Sequence, residues 1–142
     1  MKTIKNCIFI FLLNIFYLEI VFASTNYFDE GKKLFNEKKF LESKFQFEKD
    51  IVFNPTNDES YLYLAKIHKH NNEDKFEEQN LKAVILLDPK NEEAIYLLTL
   101  LKIKKSNFEE SENLIQTFKK ICKNLCKKEE ELSTKLKNLQ SK

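Results

Sequence analysis

Two short segments, Asn54-Pro55-Thr56-Asn57-Asp58-Glu59 and Asp88-Pro89-Lys90-Asn91-Glu92-Glu93, place their prolines 34 residues apart. A fixed period of that size constrains a chain more than its composition does. Each copy must be one supersecondary unit that buries its apolar face only by stacking on the next. Stepping by the same interval aligns Tyr27, Tyr61 and Ile95, then Phe47, Leu81 and Ile115, and a column of small residues at Gly31, Ala65 and Thr99. Pro55 and Pro89 end a helix each, because the residue before proline is pushed out of the α region. Asn57 and Asn91 then stand where N-caps belong, followed by acids that suit the positive end of a helix dipole.

With one glycine and two prolines in 142 residues, turn-rich β architectures lack their punctuation. The period therefore predicts helices over 26–37, 40–53, 58–70, 74–87, 92–104 and 108–122, joined by Lys38-Lys39, Asn71-Asn72 and Lys105-Ser106 within each pair. The first unit carries Tyr27, Gly31, Ser43, Phe47 and Pro55; the second Tyr61, Ala65, Leu81 and Pro89; the third Ile95, Thr99, Ser111 and Ile115. This pattern resembles the tetratricopeptide repeat family, with units over 24–57, 58–91 and 92–124. The resemblance implies an all-α fold, a short α–α superhelix of antiparallel helix pairs. A last amphipathic segment, with Leu125, Leu132, Leu136 and Leu139 on one stripe, is expected to close the solenoid over 125–142.

Glu77 departs from the pattern, since a small residue belongs there; splayed helices or a shifted register would accommodate it. Gly31, the single glycine, lies mid-helix at a cost of about 1 kcal/mol relative to alanine. Close approach of the second helix at Ser43 is the reason expected for it, and alanine there should be well tolerated.

The first 23 residues read as an address. Lys2 and Lys5 precede an apolar run from Cys7 to Leu18, and Val21-Phe22-Ala23 offers a cleavage site. Export to a periplasmic or other extracytoplasmic compartment follows, with an uncleaved N-terminal anchor as the alternative. Glu19 interrupts the run, which is short for a membrane span of about 20 residues. Membrane association is expected only through that segment.

Charge alternates along the chain to a net +2, and all 24 basic residues are lysine. That pattern describes solvated helix faces and excludes a basic, arginine-bearing footprint for nucleic acid. Cys122 and Cys126 remain after cleavage. They either pair in an oxidising compartment or pack as thiols; their spacing is not the C-x-x-C of redox motifs. His68 and His70, two apart on a helix, face different ways and read as surface or groove residues. No catalytic constellation, metal set or cofactor loop stands out, so neither an enzyme nor a cofactor is expected.

What remains is the concave face, which in this family is lined by the first helix of each pair. Carried over residue by residue, it comprises Phe28, Lys32 and Phe35; Leu62, Tyr63, Lys66 and Lys69; and Tyr96, Leu100 and Ile103. Aromatic and aliphatic side chains with a few lysines suit a peptide or helix with apolar anchors and some acidic character. A protein-interaction module or scaffold is the expected function, and a self-associating envelope protein the alternative. The clamp that lets some relatives hold a C-terminal carboxylate is not carried over, because Lys32 stands at an asparagine position and Glu93 at a lysine position.

Overall fold

The structure, a computed structural model, describes residues 27–141; the expected leader and its cleavage site lie outside them. Among the described residues seven helices follow one another: α1 (Tyr27–Asn36), α2 (Phe40–Phe53), α3 (Asp58–His70), α4 (Asp74–Leu87), α5 (Glu92–Lys104), α6 (Phe108–Ile121) and α7 (Lys128–Gln140). They pack as antiparallel pairs α1–α2, α3–α4 and α5–α6, each stacked on the next, with α7 against both α5 and α6.

The turn inside each pair is the same structure three times. Lys38, Asn72 and Ser106 take the left-handed region with φ of 60°, 58° and 55°. In each case the next residue's N–H reaches five residues back, from Lys39 to Leu34, Glu73 to His68 and Asn107 to Lys102, at 2.9–3.0 Å. These bonds satisfy carbonyls that a helix C-terminus otherwise leaves open. A side chain other than glycine is strained at such a φ, so three lapses at one 34-residue interval record a turn geometry imposed by packing.

Three apolar clusters run along the stack. Phe47, Leu64 and Ile67 form the first, with Phe28, Phe35, Phe40 and Tyr63 against them. Leu62, Ala65, Leu81, Val84, Ala94, Leu97, Leu98 and Leu101 form the second. Ile95, Ile103, Ile115 and Phe118 form the third, which Leu132 and Leu136 of α7 complete. Each B helix contributes to the cluster of its own pair, and each following A helix seals it.

The small-residue column does what its spacing implies. Ser43 donates its hydroxyl to the Gly31 carbonyl at 2.8 Å, fixing the approach of α2 to α1. The Phe47 ring also lies on the glycine: a Cβ there would sit 2.8 Å from Phe47 Cε1 and 2.9 Å from Cδ1. Phe47 is wholly buried, so alanine at 31 is not the mild change its helix propensity suggests.

Glu77 needs neither splayed helices nor a shifted register. α4 keeps its place, and Glu77 is buried against α3 with 4% of its surface exposed. Asp50 occupies another inner position, where the later units have Val84 and Phe118. It is buried, and accepts hydrogen bonds from Asn54 Nδ2 (2.9 Å), Asn57 Nδ2 (2.6 Å) and Ser60 Oγ (2.6 Å). Asn57 is thereby diverted from capping α3, whereas Asn91 does cap α5, accepting from the Ala94 N–H at 3.0 Å.

Candidate partner-binding groove

The A helices α1, α3 and α5 present their outward residues along one side of the stack. On the first two, the structure brings together most of the side chains expected there. Tyr63 stacks on Phe47 with centroids 4.9 Å apart, and meets Phe35 edge-on at 5.0 Å and Phe28 edge-on at 6.1 Å. Phe28, Phe35 and Tyr63 are half-buried, so one face of this aromatic floor packs inward and the rest is open. Lysines stand over it: Lys32 Nζ is 5.1 Å from the Phe28 ring centre and Lys66 Nζ is 5.0 Å from that of Tyr63. Rings of this kind attract ammonium groups through their negative faces. Lys66 also pairs with Glu93 at 2.9 Å, so the acid that stands at the expected lysine position is tied to the neighbouring A helix.

Leu62 is not on this face. At 7% exposure it belongs to the second cluster, because the residue before Tyr63 on a helix points about 100° away from it. Ile103 is likewise core, at 4% exposure.

On the third pair the expected face is covered. α7 leans onto α5: the Tyr96 hydroxyl donates to Glu131 Oε1 at 3.1 Å, and Lys128 Nζ lies 5.5 Å from the Tyr96 ring centre. Leu100 packs beside Leu132 and Leu136. Tyr96, Leu100 and Ile103 therefore serve the closure of the solenoid. Glu131 is held at about 2 by hydrogen bonds from Lys135, then Lys128, with Tyr96 adding to them.

The link into α7 is fixed twice. Cys122 and Cys126 are joined as a disulfide with Cα atoms 5.2 Å apart. Glu92, at the start of α5, accepts the N–H groups of Asn124 (3.0 Å) and Leu125 (2.8 Å), which hold its carboxyl below the usual range, the Leu125 bond foremost.

Between the open and covered portions lies a recess of about 480 Å³, lined by Lys69, Asn72, Glu77, Leu100, Leu101, Ile103, Lys104 and Lys135. Lys69 is thus placed at the recess, apart from the aromatic floor. Burial pushes the Glu77 carboxyl up from its ordinary value, although the charges of Lys69 and Lys104 act in the opposite direction.

Two groups of residues fall where their types in the sequence did not indicate. His68 is buried, its Nδ1 on Glu73, and is a core residue instead of a surface one. Lys102, at the matching position of the next unit, is also buried and reaches Glu78 and Glu110, each at 2.7 Å. Lys82 and Lys105 join the same Glu78, whose carboxyl falls to about 2 through its bonds to Lys102 and Lys82 first. This network ties α4, α5 and α6.

Among the described residues, the most exposed large apolar side chains lie on the B helices. Leu41 (80%), Phe45 (55%), Val52 (74%) and Phe53 (61%) are on α2, and Leu86 (82%) is on α4. The signal was available: α2 carries apolar residues at 41, 45 and 52 beyond the inward set of Phe40, Phe47 and Ile51.

Among solved structures the chain is similar to tetratricopeptide domains. It matches the TPR domain of Arabidopsis OM64 with a TM-score of 0.72 at 16% identity, over 82% of this chain and 95% of that one. The TPR2B domain of yeast Sti1, solved in complex with pHsp70, matches with a TM-score of 0.74 at 12% identity, over 81% and 96%. The Yersinia enterocolitica type III secretion chaperone SycD, in complex with a peptide of the translocator YopD, matches at 0.70 and 12%, over 81% and 90%. No family model and no curated protein matches the sequence. The fold is that of three tetratricopeptide repeats with a closing helix.

Proposed function

We propose that this chain is an exported protein-interaction module that holds a peptide or helix of another protein against the A helices of its first two repeats. The observation that carries the reading is the half-open aromatic floor of Phe28, Phe35 and Tyr63 beneath Lys32 and Lys66. Aromatic rings offer large contact area at low entropic cost, and the lysines above them favour acidic residues in the segment bound. Domains of this fold solved in complexes, Sti1 TPR2B with pHsp70 and SycD with a translocator peptide, support a binding role over a catalytic one. The altered clamp positions, with Lys66 paired to Glu93, favour a ligand other than a free C-terminal carboxylate. The basic start and apolar run of residues 1–23 support export, and the Cys122–Cys126 pair suits an oxidising compartment.

Photo-reactive side chains placed at Lys32 and at Leu86, followed by cross-linking in the native cell and mass spectrometry, test this. One recurrent partner trapped from position 32 and absent from position 86 is the expected result. Self-association is the second reading, favoured by the exposed apolar residues of α2 and α4. Trapping of this chain itself from position 86, with nothing from 32, would replace the first reading by the second.

A further inference from the structure

Glu77 is an anomaly that the groove alone does not explain. Its unit-to-unit counterparts are Ser43, bonded to Gly31, and Ser111, bonded to the carbonyl of Asn107. Glu77 is 4% exposed as a residue and its carboxyl makes no ion pair or hydrogen bond among the described residues; because no fully buried side-chain oxygen there is left without a partner, the carboxyl oxygens keep contact with solvent. Partial desolvation disfavours the charged form of a carboxylate that has no protein partner, in keeping with the raised carboxyl. The recess it lines is open to solvent, and its walls include the aliphatic side chains of Leu100, Leu101 and Ile103.

The charged groups around Glu77 come from four helices. Lys69 extends from α3, Asp74 from α4, Lys104 from α5 and Lys135 from α7. Two of the three lysines are already neutralised, Lys104 by Asp74 at 2.6 Å and Lys135 by Glu131 at 2.9 Å. Lys69 alone is without an acid of its own in contact among the described residues, and it is exposed at the mouth. The recess therefore holds a carboxylate with no protein donor among the described residues, beside an aliphatic wall and with one cation, Lys69, left without an acid at its mouth.

We propose that this recess is the subsite for a basic side chain of the bound segment, a lysine or arginine whose aliphatic stem lies along Leu100 and Ile103 and whose cation meets the Glu77 carboxylate. An acidic residue beside that anchor completes the match by meeting Lys69. The inference rests on the groove reading for the path of the segment. Its test does not, because the probe is a small cation and no peptide is involved.

The probe is n-butylammonium, which reproduces a lysine stem and head, with n-butyrate as its anionic counterpart. Methyl and carboxyl carbon NMR of the folded chain reports on Leu100, Leu101, Ile103 and Glu77. Butylammonium should give saturable shifts at these residues that are lost in Glu77→Gln, and butyrate should not. A cation that binds only the ionised carboxylate must lower its titration midpoint, by linkage. In the unmodified protein the Glu77 midpoint should thus fall in saturating butylammonium, a readout that holds even if Glu77→Gln folds poorly. A midpoint that rises in butyrate, or that neither compound moves, overturns the assignment. Cross-links from position 32 would be untouched by that failure, and would fail separately if the groove itself were wrong.

Discussion

The two ends of the solenoid solve the same packing problem with different materials. At the first joint, Phe28, Phe35, Phe40 and Phe47 of the first repeat and Tyr63 of the second meet edge-on, tilted or stacked, Phe47 lies on the single glycine, and all but the buried Phe47 keep part of their surface open. At the third repeat, aliphatic residues and Phe118 fill the interior, and α7 lays Leu132 and Leu136 over what would be the matching rim. Both ends keep the period, yet only one leaves its A face free. Repeat register decides where a residue sits in the fold; the neighbouring element decides whether it is available to a partner.

The largest effect that would sharpen this contrast comes from the closing helix. Leu132 is fully buried, and Leu132→Ala should cost about 3 kcal/mol through lost burial and the cavity left behind. Chemical denaturation measures the loss, and binding of a hydrophobic dye should rise as Tyr96 and Leu100 are uncovered. An unchanged midpoint would mean that α7 is an appendage and that the third repeat presents its A face after all.

The next test addresses the aromatic end. Gly31→Ala gains about 1 kcal/mol of helix propensity but drives a Cβ into the Phe47 ring, an overpacking cost of about 1–3 kcal/mol. A net loss of about 1 kcal/mol is expected, against the stabilisation that propensity alone would forecast. A rise in the denaturation midpoint would show that Phe47 yields, and with it that the ring cluster is loosely held.

The smallest effect belongs to the ground between the two ends. Burial raises the Glu77 carboxyl, so its contribution to stability is intact below the ordinary carboxylate range and is lost as pH climbs through the raised value. Glu77→Gln should accordingly stabilise the protein at pH 7, by up to about 1 kcal/mol, and lose that advantage near pH 4. Thermal melts at the two pH values decide it; a Gln variant less stable at pH 7 would show that Lys69 and Lys104 already hold the carboxylate.

Much of this architecture is legible in the residues. Asp58–His70, Asp74–Leu87 and Glu92–Lys104 fall where the period and the prolines put them, because local punctuation and repeat spacing agree. The disulfide, left open by the sequence against two packed thiols, is present in the structure. The groove was harder. The resemblance to a repeat family put Phe28, Phe35 and Tyr63 on one face, but repeat register does not encode the lean of α7 onto Tyr96, since that contact spans 35 residues and follows no repeat. Burial of His68 and Lys102 was masked for a related reason. Polar residues at an inner column announce themselves only once Glu73, in the turn after α3, and Glu78 and Glu110, on other helices, are seen to reach them.

Near-identical modules carry a hazard during folding: a helix pair that stacks on the wrong neighbour finds a surface almost as good as the right one. Asp50 removes that ambiguity at the first joint. Its carboxylate is satisfied only when Asn54, Asn57 and Ser60 converge on it, and the matching interior positions further along are Val84 and Phe118. A third repeat docked there in place of the second would bring Ala94 where Ser60 stands and leave the carboxylate short of a donor in an apolar seam. The joint thus works as a key cut for one lock, trading some stability for a correct order of assembly.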